Sequence, residues 1–223
     1  MLNKSNLFRV DLIVFDWDGT LYDSTAAITR AIQAAVADVG GTVPSDAQAS
    51  HVIGLGLTQA LAYAAPDVPP ARYADLSQHY RRHWAQEVQR LHLFDGIEAL
   101  LATLRAQGYR LAVATGKTRA GLNEVMQHTA LHGVFHDTRT ADETAGKPDP
   151  QMLHELMWAL DATPERTLMI GDTSHDLTMA ERAGSAAVGV SYGAHDLPAL
   201  QACAPLHIAH DVTGLGDWLA QHA

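Results

Sequence analysis

The chain has 223 residues, enough to bury a sizeable core as one domain or as a domain carrying an insertion. Its formal charge of −10 argues against sequence-independent nucleic-acid binding, and 47% hydrophobic with 18% charged residues describe a soluble globular protein without a disordered tail. Cys203 is the only cysteine, so no intrachain disulfide forms; no apolar run approaches a membrane span and Met1 to Arg9 hold no apolar signal core, which sets a cytoplasmic location as the expectation.

Leu12-Ile13-Val14-Phe15 is a continuous, partly β-branched apolar run that suits a strand buried on both faces of a parallel sheet. It stops at two carboxylates, Asp16 and Asp18. Gly19-Thr20 then supplies a turn, and Asp23-Ser24 offers a helix N-cap. In an open α/β sheet, ligands bind beyond the carboxyl ends of the strands, where this pair falls. Two close carboxylates repel, so the pair implies a cation, a shared proton or divided chemical roles. A carboxylate can attack phosphorus, and the hard cation Mg²⁺ prefers oxygen ligands.

From Ser24 to Leu91 the pattern is helical. Ile28, Ile32, Ala35, Val36 and Val39 form a stripe that Gly40-Gly41 ends. A turn around Pro44 leads to His51-Val52-Ile53-Gly54-Leu55-Gly56-Leu57, and a short helix is expected from Thr58 to Ala65. After Pro66, Pro69 and Pro70, a third helix carries Tyr73, Leu76, Tyr80, Trp84, Val88 and Leu91. Helical spacing explains the aromatic side chains as core. His79 and His83, at i and i+4, read as an exposed face, and His128, His132 and His136 as a helix end and loop. This segment reads as an inserted all-helical domain.

The α/β rhythm resumes after Phe94-Asp95-Gly96. A helix with Ile97, Leu100, Leu101 and Leu104 leads to a strand at Arg110–Ala114, and a second helix covers about Arg119 to Thr129. A short extended piece is expected near Val134-Phe135. Then come a helix from Pro150 to Leu160, a strand at Thr167–Ile170, a helix from Ser174 to Ala183 and a strand from Ala186 to Val190. A short strand near Leu206–Ile208 and a last helix from Gly214 close the chain. Strands alternating with helices predict a parallel sheet with right-handed crossovers.

Three further strand ends carry chemistry. Thr115 can hydrogen-bond a phosphate oxygen, with Gly116 letting backbone N–H groups approach. Gly116-Lys117-Thr118 is no nucleotide P-loop, because the Gly that loop needs is Leu111 here. Lys147 is one of three lysines, with Lys4 and Lys117, and sits between Gly146 and Pro148. A fixed ammonium there would neutralise phosphoryl oxygens. In Gly171-Asp172-Thr173-Ser174-His175-Asp176, two acids at a strand end and helix start can complete an acidic cluster with Asp16; Asp176 can also cap the helix.

Taken in order, these four patterns resemble the motifs of the haloacid-dehalogenase-like hydrolase superfamily over nearly the whole chain. The insertion directly after the first motif resembles the C1-capped, phosphoglycolate phosphatase-like members. The resemblance implies an α/β fold: a three-layer Rossmann-like parallel-sheet core from residues 1–23 and 92–223, with a helical cap domain at residues 24–91. It implies a phosphatase that hydrolyses a small, phosphoglycolate-like phosphomonoester of a phosphorylated metabolite through an aspartyl-phosphate. Asp16 would be the nucleophile, and Asp18 would protonate the leaving oxygen and then activate water. Mg²⁺ would bind the Asp16 carboxylate, the Asp18 backbone carbonyl and Asp172, with Asp176 acting through water or Lys147. Thr115 and Lys147 would hold the phosphoryl group.

Gly116 departs from the Asn often found after the second-motif Thr in phosphoglycolate phosphatases, which weakens that substrate assignment. Gly54 falls about where such caps present a substrate-contacting loop, and helix capping explains it equally well. A sugar-phosphate mutase shares these motifs. A non-catalytic phosphate-ligand binding protein on the same scaffold would be expected to have lost one of the motif residues, and none is missing. A dehalogenase has no leaving oxygen for Asp18 to protonate, and a phosphonatase would use a cap lysine that residues 24–91 lack. The helical insertion is expected to act as a lid over the site.

Overall fold

The structure, a computed structural model, describes residues 10–223; the reading of Met1 to Arg9 lies outside them. Alternation along the first strand decides the layers. In β1 (Leu12–Phe15) every side chain is buried, Ile13 and Phe15 in one apolar cluster and Leu12 and Val14 in another. A strand apolar on both sides needs cover on both faces, and the chain supplies it.

The other strands are β2 (Arg110–Thr115), β3 (Asp137–Thr140), β4 (Thr167–Gly171), β5 (Ala186–Val190) and β6 (His207–Ala209). They form one six-stranded sheet in the order β3-β2-β1-β4-β5-β6, and every pairing is parallel. β1 lies between β2 and β4, so the carboxyl ends of these three strands converge where the winding reverses.

Between β1 and the next core helix lie α1 (Thr25–Asp38), α2 (Asp46–His51), α3 (Leu57–Ala64) and α4 (Tyr73–Glu87). They bury a cluster of their own, built on Ile28, Ile32, Val36, Ile53, Leu61 and Leu76. Of the core helices, α5 (Ile97–Ala106), α6 (Arg119–Gln127) and α10 (Val212–His222) cover the Ile13–Phe15 face. The opposite face is covered by α7 (Gln151–Ala159), α8 (Ser174–Arg182) and α9 (Leu197–Ala202). The three-layer α/β architecture is as the sequence predicts.

Local departures have physical reasons. The extended piece expected at Val134-Phe135 is instead β3 at Asp137–Thr140, a polar edge strand whose Arg139 pairs with Asp137 and Glu155. The apolar pair packs on the Ile13–Phe15 cluster, so it signalled burial rather than pairing. α2 and α9 went unread because each is six residues long with one buried residue, too short for a stripe. The last helix starts at Val212, with Asp211 as the N-cap accepting from Gly214 N.

Candidate active site

Asp16 follows β1 directly, and its N–H donates to Ile170 O of β4. The side chain is 1% exposed, and Lys147 Nζ donates to its Oδ1 at 2.6 Å. Lys147 is fully buried and also lies 2.6 Å from Asp176 Oδ1, an ion pair without hydrogen-bond geometry. Asp16 Oδ2 is buried and has no hydrogen-bond partner among the described residues.

Asp172 leaves the end of β4 fully buried. Thr20 Oγ1 donates to its Oδ1 at 2.8 Å and Ala194 N to its Oδ2 at 2.7 Å. Gly19, at φ +81°, and Gly193 press on this carboxylate so closely that a Cβ on either would fall 2.2 Å from Oδ2. Asp176 caps α8 as foreseen: its Oδ2 accepts from Thr173 N and Oγ1, while Thr173 Oγ1 accepts from Asp176 N. Thr115, at the end of β2, is 1% exposed and accepts from Lys117 N at 3.2 Å.

Asp18 faces elsewhere. Ser24 Oγ donates to its Oδ1 at 2.7 Å, and Lys117 Nζ stands 3.0 Å from its Oδ2. The ammonium of Lys117 also sits 4.5 Å from the centroid of the Trp84 ring, a cation–π contact with α4. Ser24, expected as a capping side chain, makes no cap hydrogen bond. Its backbone occupies the N-cap position while its hydroxyl is turned to Asp18.

Three buried carboxylates, Asp16, Asp172 and Asp176, each offer an oxygen within 4.8 Å of the others, against the single ammonium of Lys147. Burial, more than the partly offsetting Lys147, pushes the Asp16 carboxyl well above its ordinary range, with Asp176 and Asp172 adding repulsion. Asp172 rises to about 7 through burial first and Asp176 second. Burial alone would lower Lys147, but Asp16 and Asp176 together hold its ammonium above the usual range. An excess of buried carboxylate oxygens, one of them without a partner, fits a hard divalent cation.

Gly54 and Gly116 meet at the boundary with the helices. A Cβ on Gly116 would lie 2.5 Å from both Gly54 O and Leu55 O, so the loop after α2 rests directly on the turn after β2. Both glycines line a cavity that also touches Asp18 and Lys117. Tyr80 and Trp84, read as core, do pack against the helical cluster, and they wall this cavity as well.

A second contact ties α2 to the core. His175 Nε2 and His195 Nε2 donate to His51 O, at 2.9 and 3.0 Å, and Ser50 Oγ donates to Ala194 O at 2.6 Å. That carbonyl belongs to the last turn of α2, where the helix leaves acceptors open. Ser174 N donates to His195 Nδ1, which fixes a neutral ring; burial holds His195 down at about 4 and His175 below its ordinary range. His79 and His83 both contact Asp38 of α1 on the outer surface, away from these groups.

The structure therefore brings together Asp16, Lys147, Asp172 and Asp176, and sets Asp18, Gly54 and Gly116 on an adjoining cavity. Sequence reasoning missed Lys117, Ser24 and Thr20 as partners of the acids. Thr20 and Ser24 lie inside the first motif, and Lys117 directly follows the Thr115-Gly116 pair, so their positions were the available signal.

The family described as haloacid dehalogenase-like hydrolase matches residues 13–190. The chain is similar to the 5′-nucleotidase of Pseudomonas aeruginosa, at 34% identity over 223 residues, covering 96% of this chain and 97% of that one. It is similar to the phosphoglycolate phosphatase of Aliivibrio fischeri, at 34% identity over 197 residues, covering 82% and 85%. Among solved structures, "a predicted phosphoglycolate phosphatase" from Haemophilus somnus 129pt matches with a TM-score of 0.83 at 24% identity, over 96% of this chain and 98% of that one.

Proposed function

We propose that this chain, which belongs to the haloacid dehalogenase-like hydrolases, is a Mg²⁺-dependent phosphatase that forms an aspartyl-phosphate on Asp16. Phosphatase activity on a phosphorylated small molecule follows from the family and from its phosphatase relatives. The observation that carries the finer reading is the pair of Asp16 oxygens, one held by Lys147 at 2.6 Å and the other buried without a partner.

In this reading Asp16 attacks phosphorus as the bond to the leaving oxygen breaks, and Asp18 gives that oxygen its proton. Asp18 then takes a proton from water, whose oxygen attacks phosphorus and frees Asp16 and inorganic phosphate. Thr115 and Lys147 orient the phosphoryl oxygens. The carboxylates of Asp16, Asp172 and Asp176, with the Asp18 backbone carbonyl, would hold Mg²⁺, which supplies positive charge where carboxylate and phosphate meet. Residues 24–91 act as a cap domain over a core of residues 1–23 and 92–223, excluding bulk water while the acyl phosphate forms.

No helix among the described residues is long and apolar enough to cross a membrane. The single cysteine supports the cytoplasm as the working location. Phosphate release from small monoesters with Mg²⁺ and with a chelator tests the reading. Turnover that requires Mg²⁺ is expected; no turnover of any monoester under either condition overturns it.

A further inference from the structure

The side of the site that faces a leaving group is a cavity of about 290 Å³ between the helical cluster and the core. Asp18 lies on its floor. Its walls are apolar and aromatic, formed chiefly by Ile28, Ile32, Ile53, Leu57, Tyr80 and Trp84. The one ammonium lining it, Lys117, is already paired with Asp18 at 3.0 Å. Arg81 and Glu124 also line it, and both are exposed.

These walls suit some leaving groups and penalise others. A two-carbon carboxylate would lose water against isoleucine and leucine side chains, and the remaining cation of the lining, Arg81, is exposed and so screened by solvent, a costly exchange. A flat ring would bury its faces on the same surfaces, with aromatic neighbours to stack on and its polar edge directed to Arg81 and Glu124. A cavity of this size also leaves a two-carbon group unsupported, so it would not be held in line with Asp18.

We propose that the ester taken carries a ring-bearing leaving alcohol, aryl or nucleoside, seated against Ile32, Ile53, Tyr80 and Trp84, an inference that rests on the phosphatase reading above. Ile53 and Leu57 come from the loop and first turn that adjoin Gly54, so the helical segment supplies the selectivity and the sheet supplies the chemistry.

The test uses the intact Mg²⁺-loaded protein with phenyl phosphate, adenosine 5′-monophosphate, uridine 5′-monophosphate and phosphoglycolate. At least one ring-bearing ester is expected to exceed phosphoglycolate in kcat/KM by roughly tenfold or more, through KM, as stacking on an aromatic wall implies. Which of the three does so separates the aryl from the nucleoside source. Leu57 is half-buried at the start of α3, so Leu57→Arg keeps the fold while placing a cation in the cavity. It should move the ratio by roughly tenfold toward phosphoglycolate.

Equal or better use of phosphoglycolate by the unaltered protein, or an unmoved ratio in Leu57→Arg, overturns the proposal and leaves the phosphatase reading standing. If no ester turns over, that reading falls, and calorimetric binding to Mg²⁺-loaded Asp16→Asn decides the cavity separately. Tighter binding of a ring monophosphate than of phosphoglycolate sustains the proposal, and equal binding overturns it.

Discussion

Lys117 Nζ stands 3.0 Å from Asp18 Oδ2 and 4.5 Å from the centre of the Trp84 ring, so one ammonium joins the proposed acid–base residue to α4. Only 11% of either paired side chain is exposed, which leaves little solvent screening. Lys117→Met is expected to lower kcat by roughly tenfold, the effect of about 1.4 kcal/mol at the barrier. Lys117→Arg should recover part of it, since the charge and the aromatic contact both survive. Steady-state kinetics of the two variants check this, and an unchanged kcat in Lys117→Met removes the residue from the reaction.

Asp16→Asn is expected to abolish phosphate release while the protein stays folded. An amide cannot act as the attacking carboxylate. Lys147 keeps Asp176 at 2.6 Å, so the ammonium is not left alone, and the loss of stability should stay below the roughly 3–5 kcal/mol that orphaning a buried charge costs. Phosphate release measured beside a urea titration separates the two effects.

Magnesium binding should strengthen with pH. Asp172, ordinarily at 3.8, is lifted to about 7 in the metal-free fold, so a proton competes with the cation below that value. The sign for metal-free stability is the reverse. A raised carboxyl stabilises fully below 3.8, and that contribution is lost as pH climbs through about 7. The rise in thermal midpoint on adding Mg²⁺ is therefore expected to be small well below pH 7 and large just above it. A shift independent of pH would show that Asp172 does not exchange a proton for the ion.

Gly116→Asn is expected to lift the loop after α2 off the core. Any Cβ at this position meets Gly54 O and Leu55 O at 2.5 Å, and backbone cannot yield as a side-chain end can. Faster proteolysis of residues 52–57 and a lower kcat/KM should appear together. Unchanged proteolysis would mean the loop does not rest there in solution.

Much of this site was legible because its residues sit at the ends of apolar runs. Asp16, Thr115 and Asp172 each close a buried strand, and parallel strands in register bring such ends together. Lys147 stood out through lysine scarcity rather than any periodic pattern. Lys117 was weighed only against a nucleotide loop, since a contact with Asp18 across 98 intervening positions leaves no trace in local spacing. α2 is a case where the signal existed: Ser45 and Gln48 form a capping box, three residues apart, beside the turn read around Pro44. Gly116 reads from the sequence as a backbone approach to phosphate and as a departure from a family pattern. Its reason is steric and lies in the loop above it.

Ala194 has no side-chain chemistry, yet its two peptide groups grip opposite things. Its N–H clasps Asp172 Oδ2, and its C=O receives the hydroxyl of Ser50 at the end of α2. A swing of the helical segment away from the sheet would release the second grip and loosen the backbone that makes the first. In the proposed reading, access for substrate and the aim of the Asp172 carboxylate would share one mechanical joint, so the site would be fully tensioned only when it is shut.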